Sequence, residues 1–331
     1  MKQKKPLLLL STSPFLKQRE DTTYIMWQVV YAMIPILVAA VYYFGISALL
    51  VTTACVAGTL LTEWVFTRDT IKDGSALITG ILLALTLPPG IQLWMAFLGG
   101  VVSIALGKLI FGGIGYNIFN PALVGRAFVQ SAFPVAITTW APQSNLSDFF
   151  QVKGANFTFP FFKSNVDVVT TATPLAKMKF EGLTTHTMDL LIGNTAGSLG
   201  ETCGIVILLA GLYLAFRKML NWRIPVSIFG TVFIFSVILN LISPGVYPSS
   251  IFQIFSGGMM LGAVFMATDM VTSPITQKGC WIFGIGIGFL VVVIRLFGGL
   301  PEGVMYSILL MNGATPLINR MTQPKIYGAH K

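Results

Sequence analysis

Long apolar runs separated by short polar segments make up most of this 331-residue chain. A helix needs about 20 predominantly apolar residues to cross a bilayer. Six clean runs are candidate spans: 25–45, 46–66, 91–113, 204–216, 224–242 and 281–298. Four shorter or interrupted runs are further candidates: 75–89, 118–140, 251–271 and 301–318. The pattern predicts an all-α polytopic membrane protein with about ten transmembrane helices.

The interrupted runs occur in two similar pairs. In the first half, DGSALITGILLALTLPPG (73–90) precedes NIFNPALVGRAF (117–128); in the second, SGGMMLGAVFMATDMVTSP (256–274) precedes MNGATPLINR (311–320). In each pair, the first segment is a short apolar stretch that ends in proline. The second segment is interrupted by a cluster of asparagine and proline. Paired broken helices are typical of proteins with two inverted repeats. We therefore expect two five-helix repeats of opposite orientation, although glycine and proline are also simply common in membrane helices.

Charge supports this interpretation and sets the orientation. Only 10% of the residues are charged, whereas soluble domains carry about 25%. The net charge of +9 forms no single patch for nucleic acid, because the basic residues lie between apolar runs or, like Lys108, near the end of one. The positive-inside rule then places both termini in the cytoplasm. It places the long loop between the halves on the extracytoplasmic side of the cell inner membrane. The predicted parts are an N-terminal segment (1–24), a first repeat (25–140), an extracytoplasmic loop (141–198), a second repeat (199–319) and a tail (320–331).

The cysteine and histidine residues give little indication of a metal or haem site. Cys55, Cys203 and Cys280 lie in or beside apolar runs without metal-ligand spacing. His186 and His330 are too few and too far apart for a haem-binding membrane subunit. We expect no metal site.

Charged side chains within apolar runs are functional candidates, because they cost several kcal/mol unless they are paired or hydrated. The candidates are Glu63, Arg126, Glu201, Asp269 and Arg295. Asp269 lies at a predicted break, where it could coordinate Na⁺ or carry H⁺; alternatively it caps a short helix or pairs with Arg126 or Arg295. Glu201 is expected in the first turn of a helix, where an acid complements the helix dipole. Glu63, Glu201 and Asp269 are the candidates for an ion pathway.

The tripeptide Asn120-Pro121-Ala122 also occurs in water channels, which need two copies of it. The second half has Ala314-Thr315-Pro316 instead, so the tripeptide does not predict a water channel. We expect Asn120 to cap a broken helix that begins at Pro121.

The long loop contains DVVTTATPLA (167–176), with three threonines in four positions, and we expect their hydroxyls to face water. No nucleotide-binding glycine motif follows a predicted strand, so a bound nucleotide would need another means of attachment. Asp167, Thr170, Ala172 and Thr173 resemble the acceptor motif of bacterial flavin transferases, in which the last threonine receives FMN from FAD through a phosphoester bond. The resemblance implies covalent FMN on Thr173. Thr171 departs from the glycine that the motif prefers and leaves a second hydroxyl nearby.

This loop, together with NPALVGRAF, GSLGET and FMATDMVTSP, resembles the RnfD membrane subunits of Rnf complexes over nearly the whole chain. The resemblance implies a subunit of an ion-translocating ferredoxin:NAD⁺ oxidoreductase that carries electrons on FMN while the complex moves Na⁺ or H⁺ outward. It implies a urea-channel-like architecture and a second, non-covalent flavin such as riboflavin. The implied partners are the iron–sulfur, NADH-binding, FMN-bearing and membrane subunits, membrane lipid, and a flavin transferase for maturation.

Three alternatives stay open from the sequence. The B subunit of the related Na⁺-pumping NADH:quinone oxidoreductase shares the architecture, but usually has a longer N-terminal part and Ser-Gly-Ala-Thr at the acceptor. A small-solute channel or transporter without a redox cofactor would show the same repeats and broken helices. A scaffold that anchors redox partners would not need the hydroxyl of Thr173.

Overall fold

The structure, a computed structural model, describes residues 21–143, 149–160, 162, 171–201, 203–243 and 247–324, and this part of the chain is helical without a β-strand. The principal helices are α1 (Thr22–Phe44), α2 (Ile46–Phe66), α3 (Ser75–Thr86), α4 (Leu93–Gly107), α5 (Pro121–Ala132), α6 (Gly204–Phe216), α7 (Arg223–Ile242), α8 (Met259–Leu261, continued by the π-helical turn Gly262–Met266), α9 (Gln277–Phe297) and α10 (Val304–Thr322). Shorter elements are Arg68–Asp73, Leu109–Phe111, Pro134–Thr138, Pro174–Ala176, Lys177–Glu181, Thr187–Ile192 and Ser250–Phe255.

Within the described residues, five helices are long and apolar enough to cross a membrane: α1, α2, α4 with the turn that follows it (Leu93–Phe111), α7 and α9. Helices α3 and α6 are apolar but shorter. Large apolar side chains such as Val38, Leu49, Ile234 and Ile285 are exposed on the long helices, as lipid contact requires. The predicted multi-pass all-α membrane protein is confirmed, and five of the ten predicted spans have the full length of a crossing helix.

The helices of each half pack in the same order. Helix α2 packs on α4 and α4 on α5, while α7 packs on α9 and α9 on α10. Small residues permit these close contacts: a Cβ at Gly58 would lie 2.3 Å from the carbonyl oxygen of Phe97, and one at Gly288 would lie 2.9 Å from that of Ile228. Close backbone approach through small residues is the usual basis of helix packing in membranes.

Two of the predicted breaks are present. Helix α3 ends at Thr86, and the carbonyl oxygens of Leu85 and Leu87 accept hydrogen bonds from the amides of Gly200 (2.6 Å) and Leu199 (3.1 Å). Helix α5 begins at Pro121, and the side-chain oxygen of Asn120 accepts from the amide of Ala122 at 3.0 Å. The predicted cap and helix start are therefore confirmed.

The predicted break at 311–320 is wrong, because α10 runs continuously through Pro316. The hydroxyl of Thr315 donates to the carbonyl oxygens of Met311 and Thr272, at 3.1 and 3.0 Å. Proline is tolerated inside membrane helices, and its position alone does not end one. The discontinuity of the second half lies before α10, between Phe297 and Val304.

Lys108 also differs from expectation. Its position near the end of the run 91–113 predicted a charge at the cytoplasmic face of the membrane, but it is only 3% exposed. Its Nζ lies 2.6 Å from Oε1 of Glu63, which is fully buried, and 2.7 Å from the Ser75 hydroxyl. The pair therefore joins the ends of α2 and α4 to the start of α3, because a buried cation needs a charged and hydrogen-bonding partner.

Candidate functional site

The loop after the acceptor motif is fixed to the second half of the protein. Leu175 packs with Leu190 and Phe252 in a small apolar cluster. The Nζ of Lys179 donates to the carbonyl oxygens at the end of α9 and just beyond it, those of Arg295 (3.0 Å), Gly298 (2.5 Å) and Leu300 (2.8 Å). A cation at the C-terminus of a helix satisfies unpaired carbonyls and complements the dipole. Desolvation lowers the pKa of the Lys179 ammonium group below its ordinary value.

The side chain of Thr173 is buried at 8% exposure, although its place in a polar loop predicted that the hydroxyl would face water. That prediction is wrong for a physical reason: Pro174 and Leu175, which follow it, are buried and hold the motif against the protein. The Oγ1 of Thr173 accepts a hydrogen bond from the amide of Ala176 at 3.2 Å and caps the turn Pro174–Ala176. Asp167 and Thr170 lie outside the described residues, and Ala172 is exposed beside Thr173.

Thr173 lines a cavity of about 570 Å³, here called the outer cavity. Its apolar and aromatic lining includes Ile137, Trp140, Phe180, Met305 and Tyr306, and its charged lining is Arg126, Glu201 and Glu302. Sites for small organic molecules are typically cavities of roughly 300–1,000 Å³ with mostly apolar walls and a few polar groups. The outer cavity has the size and composition for a cofactor with an aromatic ring.

An ion pair crosses from the first half to the second at this cavity. A terminal nitrogen of Arg126, on α5, lies 2.5 Å from Oε2 of Glu302, just before α10. The Oε1 of Glu302 accepts from the amide of Gly258 at 3.0 Å. Arg126 is 6% exposed, and its Nε has no hydrogen-bond partner in the described part of the chain. The ion pair therefore satisfies only part of the buried guanidinium group.

Arg126 was among the functional candidates predicted from the sequence, but its partner Glu302 was not. The signal was present, since Glu302 is an acid at the start of the apolar run 301–318 and meets the same criterion as the residues that were selected. No sequence feature indicated that it would pair with Arg126, which is 176 positions away.

Of the other selected charges, Glu201 lines the same cavity as Arg126, and Arg295 is bound by backbone carbonyls. Arg295 is 1% exposed and donates to the carbonyl oxygens of Gln253 (2.5 Å) and Ser256 (2.9 Å). The predicted first-turn position of Glu201 is wrong, because α6 begins at Gly204 and Glu201 lines the outer cavity instead.

Asp269 accepts from the amide of Val271 (3.4 Å) and from the hydroxyl of Thr272 (3.2 Å). The alternative in which it pairs with an arginine is wrong, since Arg126 binds Glu302 and Arg295 binds backbone carbonyls. Asp269 therefore stabilises the turn after α8.

A smaller cavity of about 110 Å³, the inner cavity, contains Asp269. Lys108, Asn117 and Asn120 also line it, so it lies beside the buried Lys108–Glu63 pair. The Nδ2 of Asn120 donates to the carbonyl oxygen of Met266 at 3.1 Å and connects the two halves there. The inner and outer cavities share no lining residue in the described ranges. The predicted site residues thus fall into two groups: Thr173 with Glu201, and Asp269 with Glu63.

Metal-binding clusters of three or more His, Cys, Asp or Glu residues are absent from the residues that the structure describes, and the three cysteines are free thiols.

Comparison with known proteins gives a consistent result. The model of the NQR2, RnfD, RnfE family matches residues 9–328. The D subunit of the proton-translocating ferredoxin:NAD(+) oxidoreductase complex of Clostridium ljungdahlii is 41% identical, with 99% of this chain and 98% of the relative covered. The D subunit of the Na(+)-translocating ferredoxin:NAD(+) oxidoreductase complex of Acetobacterium woodii is 40% identical, with 98% and 96% covered. The D subunit of the ion-translocating oxidoreductase complex of Stutzerimonas stutzeri is 38% identical, with 94% and 93% covered.

Proposed function

Because the chain belongs to the NQR2, RnfD, RnfE family, we propose that it is the membrane-embedded D subunit of an ion-translocating ferredoxin:NAD⁺ oxidoreductase complex. The full-length similarity to three relatives named as D subunits supports this function over the B subunit of the related quinone reductase. The proposed partners are the iron–sulfur, NADH-binding, FMN-bearing and membrane subunits of that complex.

We further propose that Thr173 carries FMN through a phosphoester bond. The single observation that supports this most is that Thr173, the last threonine of the acceptor motif, lines the outer cavity. Esterification leaves an oxygen at the position that now accepts from Ala176, so the turn can persist. A bound flavin supplies the ability to accept one or two electrons, and the protein supplies its placement and electrostatics.

The side chains around Thr173 have distinct roles in this proposal. Trp140, Phe180 and Tyr306 provide aromatic surfaces on which a planar ring can pack, and Arg126 provides a cation. The contacts of Leu175 and Lys179 fix the loop, so that the attached cofactor stays at this cavity. Asp167, Thr170 and Ala172 form the rest of the motif that a flavin transferase recognises. A second, non-covalent flavin such as riboflavin remains part of the proposal without an assigned site.

The finer architecture is also proposed: ten transmembrane segments in two inverted five-helix repeats, similar to urea channels. The equal packing order of α2, α4 and α5 and of α7, α9 and α10 supports it. In this arrangement both termini are cytoplasmic in the cell inner membrane, and the loop with Thr173 is extracytoplasmic.

An ion route between the two halves follows from the same arrangement. Glu63 and Asp269 would lie at its inner end and Glu201 at its outer end. The relatives named for protons and for sodium are 41% and 40% identical to this chain, so the similarity does not select between H⁺ and Na⁺.

Ultraviolet fluorescence of the denatured chain in a gel tests the proposed function. The full-length chain is produced with a flavin transferase, because the ester forms only by the action of that enzyme. A fluorescent band is expected, since a covalent flavin survives denaturation. A solute channel without a redox cofactor would give a dark band, and a dark band would contradict the electron-carrier function.

A further inference from the structure

We propose that Arg126 makes the flavin at Thr173 easier to reduce, and that Glu302 opposes this effect. The inference rests on the proposed function, because it needs a flavin attached at Thr173. It adds to that function two residues of opposite charge that set the reduction potential of the cofactor.

The first support is that Arg126, Glu302 and Thr173 line the same cavity. A ring system attached at Thr173 that occupies the outer cavity therefore shares it with both charges. Arg126 is 6% exposed and the side chain of Glu302 is 19% exposed, and a charge acts more strongly where little water reaches it.

The second support is the incomplete hydrogen bonding of Arg126. Its guanidinium group contacts Glu302 through one terminal nitrogen, whereas its buried Nε has no partner in the described part of the chain. Glu302 therefore does not cover the whole guanidinium group, and the part of Arg126 that lines the outer cavity keeps its positive field there.

The third support is that Glu302 is fixed independently of Arg126. Its second oxygen accepts from the amide of Gly258, and a Cβ at Gly258 would lie 2.6 Å from that oxygen. The carboxylate therefore stays at the cavity when Arg126 is replaced. Arg295, whose guanidinium binds the carbonyls of Gln253 and Ser256, is held by other partners.

The direction of each effect follows from charge. Each electron that a donor gives to the flavin adds one negative charge to the cavity unless a proton follows it. The guanidinium group of Arg126 stabilises that added charge, and the carboxylate of Glu302 destabilises it. Loss of the cation should lower the midpoint potential, and loss of the carboxylate should raise it.

The test is a redox titration of the purified full-length protein, followed by flavin absorbance, with dithionite as the electron donor. Arg126→Gln should lower the equilibrium constant for reduction of the flavin at least tenfold. This corresponds to a midpoint potential that is lower by about 59 mV for one electron or about 30 mV for two. Glu302→Gln should shift the potential in the opposite direction, and Arg126→Lys should stay near the unmutated value. Arg320→Gln is the matched control, because Arg320 is exposed in the last turn of α10, roughly 24 Å along the helix from Val304, where the helix begins just after Glu302.

The two neutralising variants separate an electrostatic role from a structural one. Disruption of the cavity alone would shift both potentials in the same direction, and that result, or unchanged potentials in both, would overturn the inference. If the Arg126→Gln protein does not accumulate in the cell, the Glu302→Gln protein alone decides the test. A higher midpoint potential in that variant supports the inference, and a lower or unchanged one overturns it. Fluorescence of the denatured bands is recorded in parallel: an unmutated protein without flavin would count against the proposed function, whereas flavin with the wrong shifts counts only against the roles of Arg126 and Glu302.

Discussion

The side-chain amide of Asn120 donates to the carbonyl oxygen of Met266 at 3.1 Å, and so joins the start of α5 to the end of α8. The same side chain caps α5 through its oxygen. One buried residue thus fixes the broken helix of the first half to the short helix of the second, at the inner cavity.

Replacement of Asn120 should separate these two contributions. Asn120→Ser keeps a capping oxygen but is too short to reach Met266, so we expect a loss of about 1 kcal/mol. Asn120→Ala also loses the cap, and we expect about 2 kcal/mol in total. Denaturation of the detergent-solubilised protein measures both. A serine variant as stable as the unmutated protein would show that the contact with Met266 contributes nothing.

The buried pair of Lys108 and Glu63 predicts a second stability effect. Lys108→Met leaves the carboxylate of Glu63 buried without a counter-charge, and we expect a loss of about 3–5 kcal/mol. The double variant Lys108→Met/Glu63→Leu removes both charges and should recover much of this loss. Thermal inactivation in detergent is the measurement, with Lys72→Met, at a lysine on the short turn after α2, as the control. A double variant that is less stable than Lys108→Met would contradict the assignment.

The contacts of Lys179 predict the behaviour of the flavin loop. Lys179→Met removes three hydrogen bonds from a charged group to backbone carbonyls, each worth about 1.5–3 kcal/mol. Opening of 174–192 should therefore become at least about tenfold more frequent, since 1.4 kcal/mol corresponds to a factor of ten. Hydrogen–deuterium exchange of loop peptides checks this, and Lys177→Met, at an exposed neighbour, should exchange like the unmutated protein.

Asp269 offers a test of the ion route. Asp269→Asn keeps an oxygen for the bonds from Val271 and Thr272 but removes the charge. We expect ion translocation by the complex in membrane vesicles to fall more than ferredoxin-to-NAD⁺ electron transfer. Equal losses of the two activities would argue that Asp269 has only the structural role that its hydrogen bonds show.

The local features of this fold were predictable from the sequence, whereas its long-range contacts were not. The start of α5 could be predicted from Asn120 and Pro121, because a helix cap involves only residues that are close in sequence. The pairing of Arg126 with Glu302 depends on which helices pack together, and composition does not determine that. The burial of Lys108 has the same origin.

Two further residues show the same limit. Pro316 predicted a break, but α10 continues through it, and its sequence neighbours do not reveal this. Thr173 was identified by its motif, but its burial depends on the packing of Leu175 against a distant helix.

The covalent flavin is tested most directly by mass analysis of the peptide that contains Thr173, from the full-length chain produced with a flavin transferase. We expect this threonine to carry the mass of FMN less one water. Thr173→Val should abolish the modification, while Thr171→Val should retain it. An unmodified Thr173 in a complex that still transfers electrons at full rate would contradict the role of this residue as the carrier of the flavin.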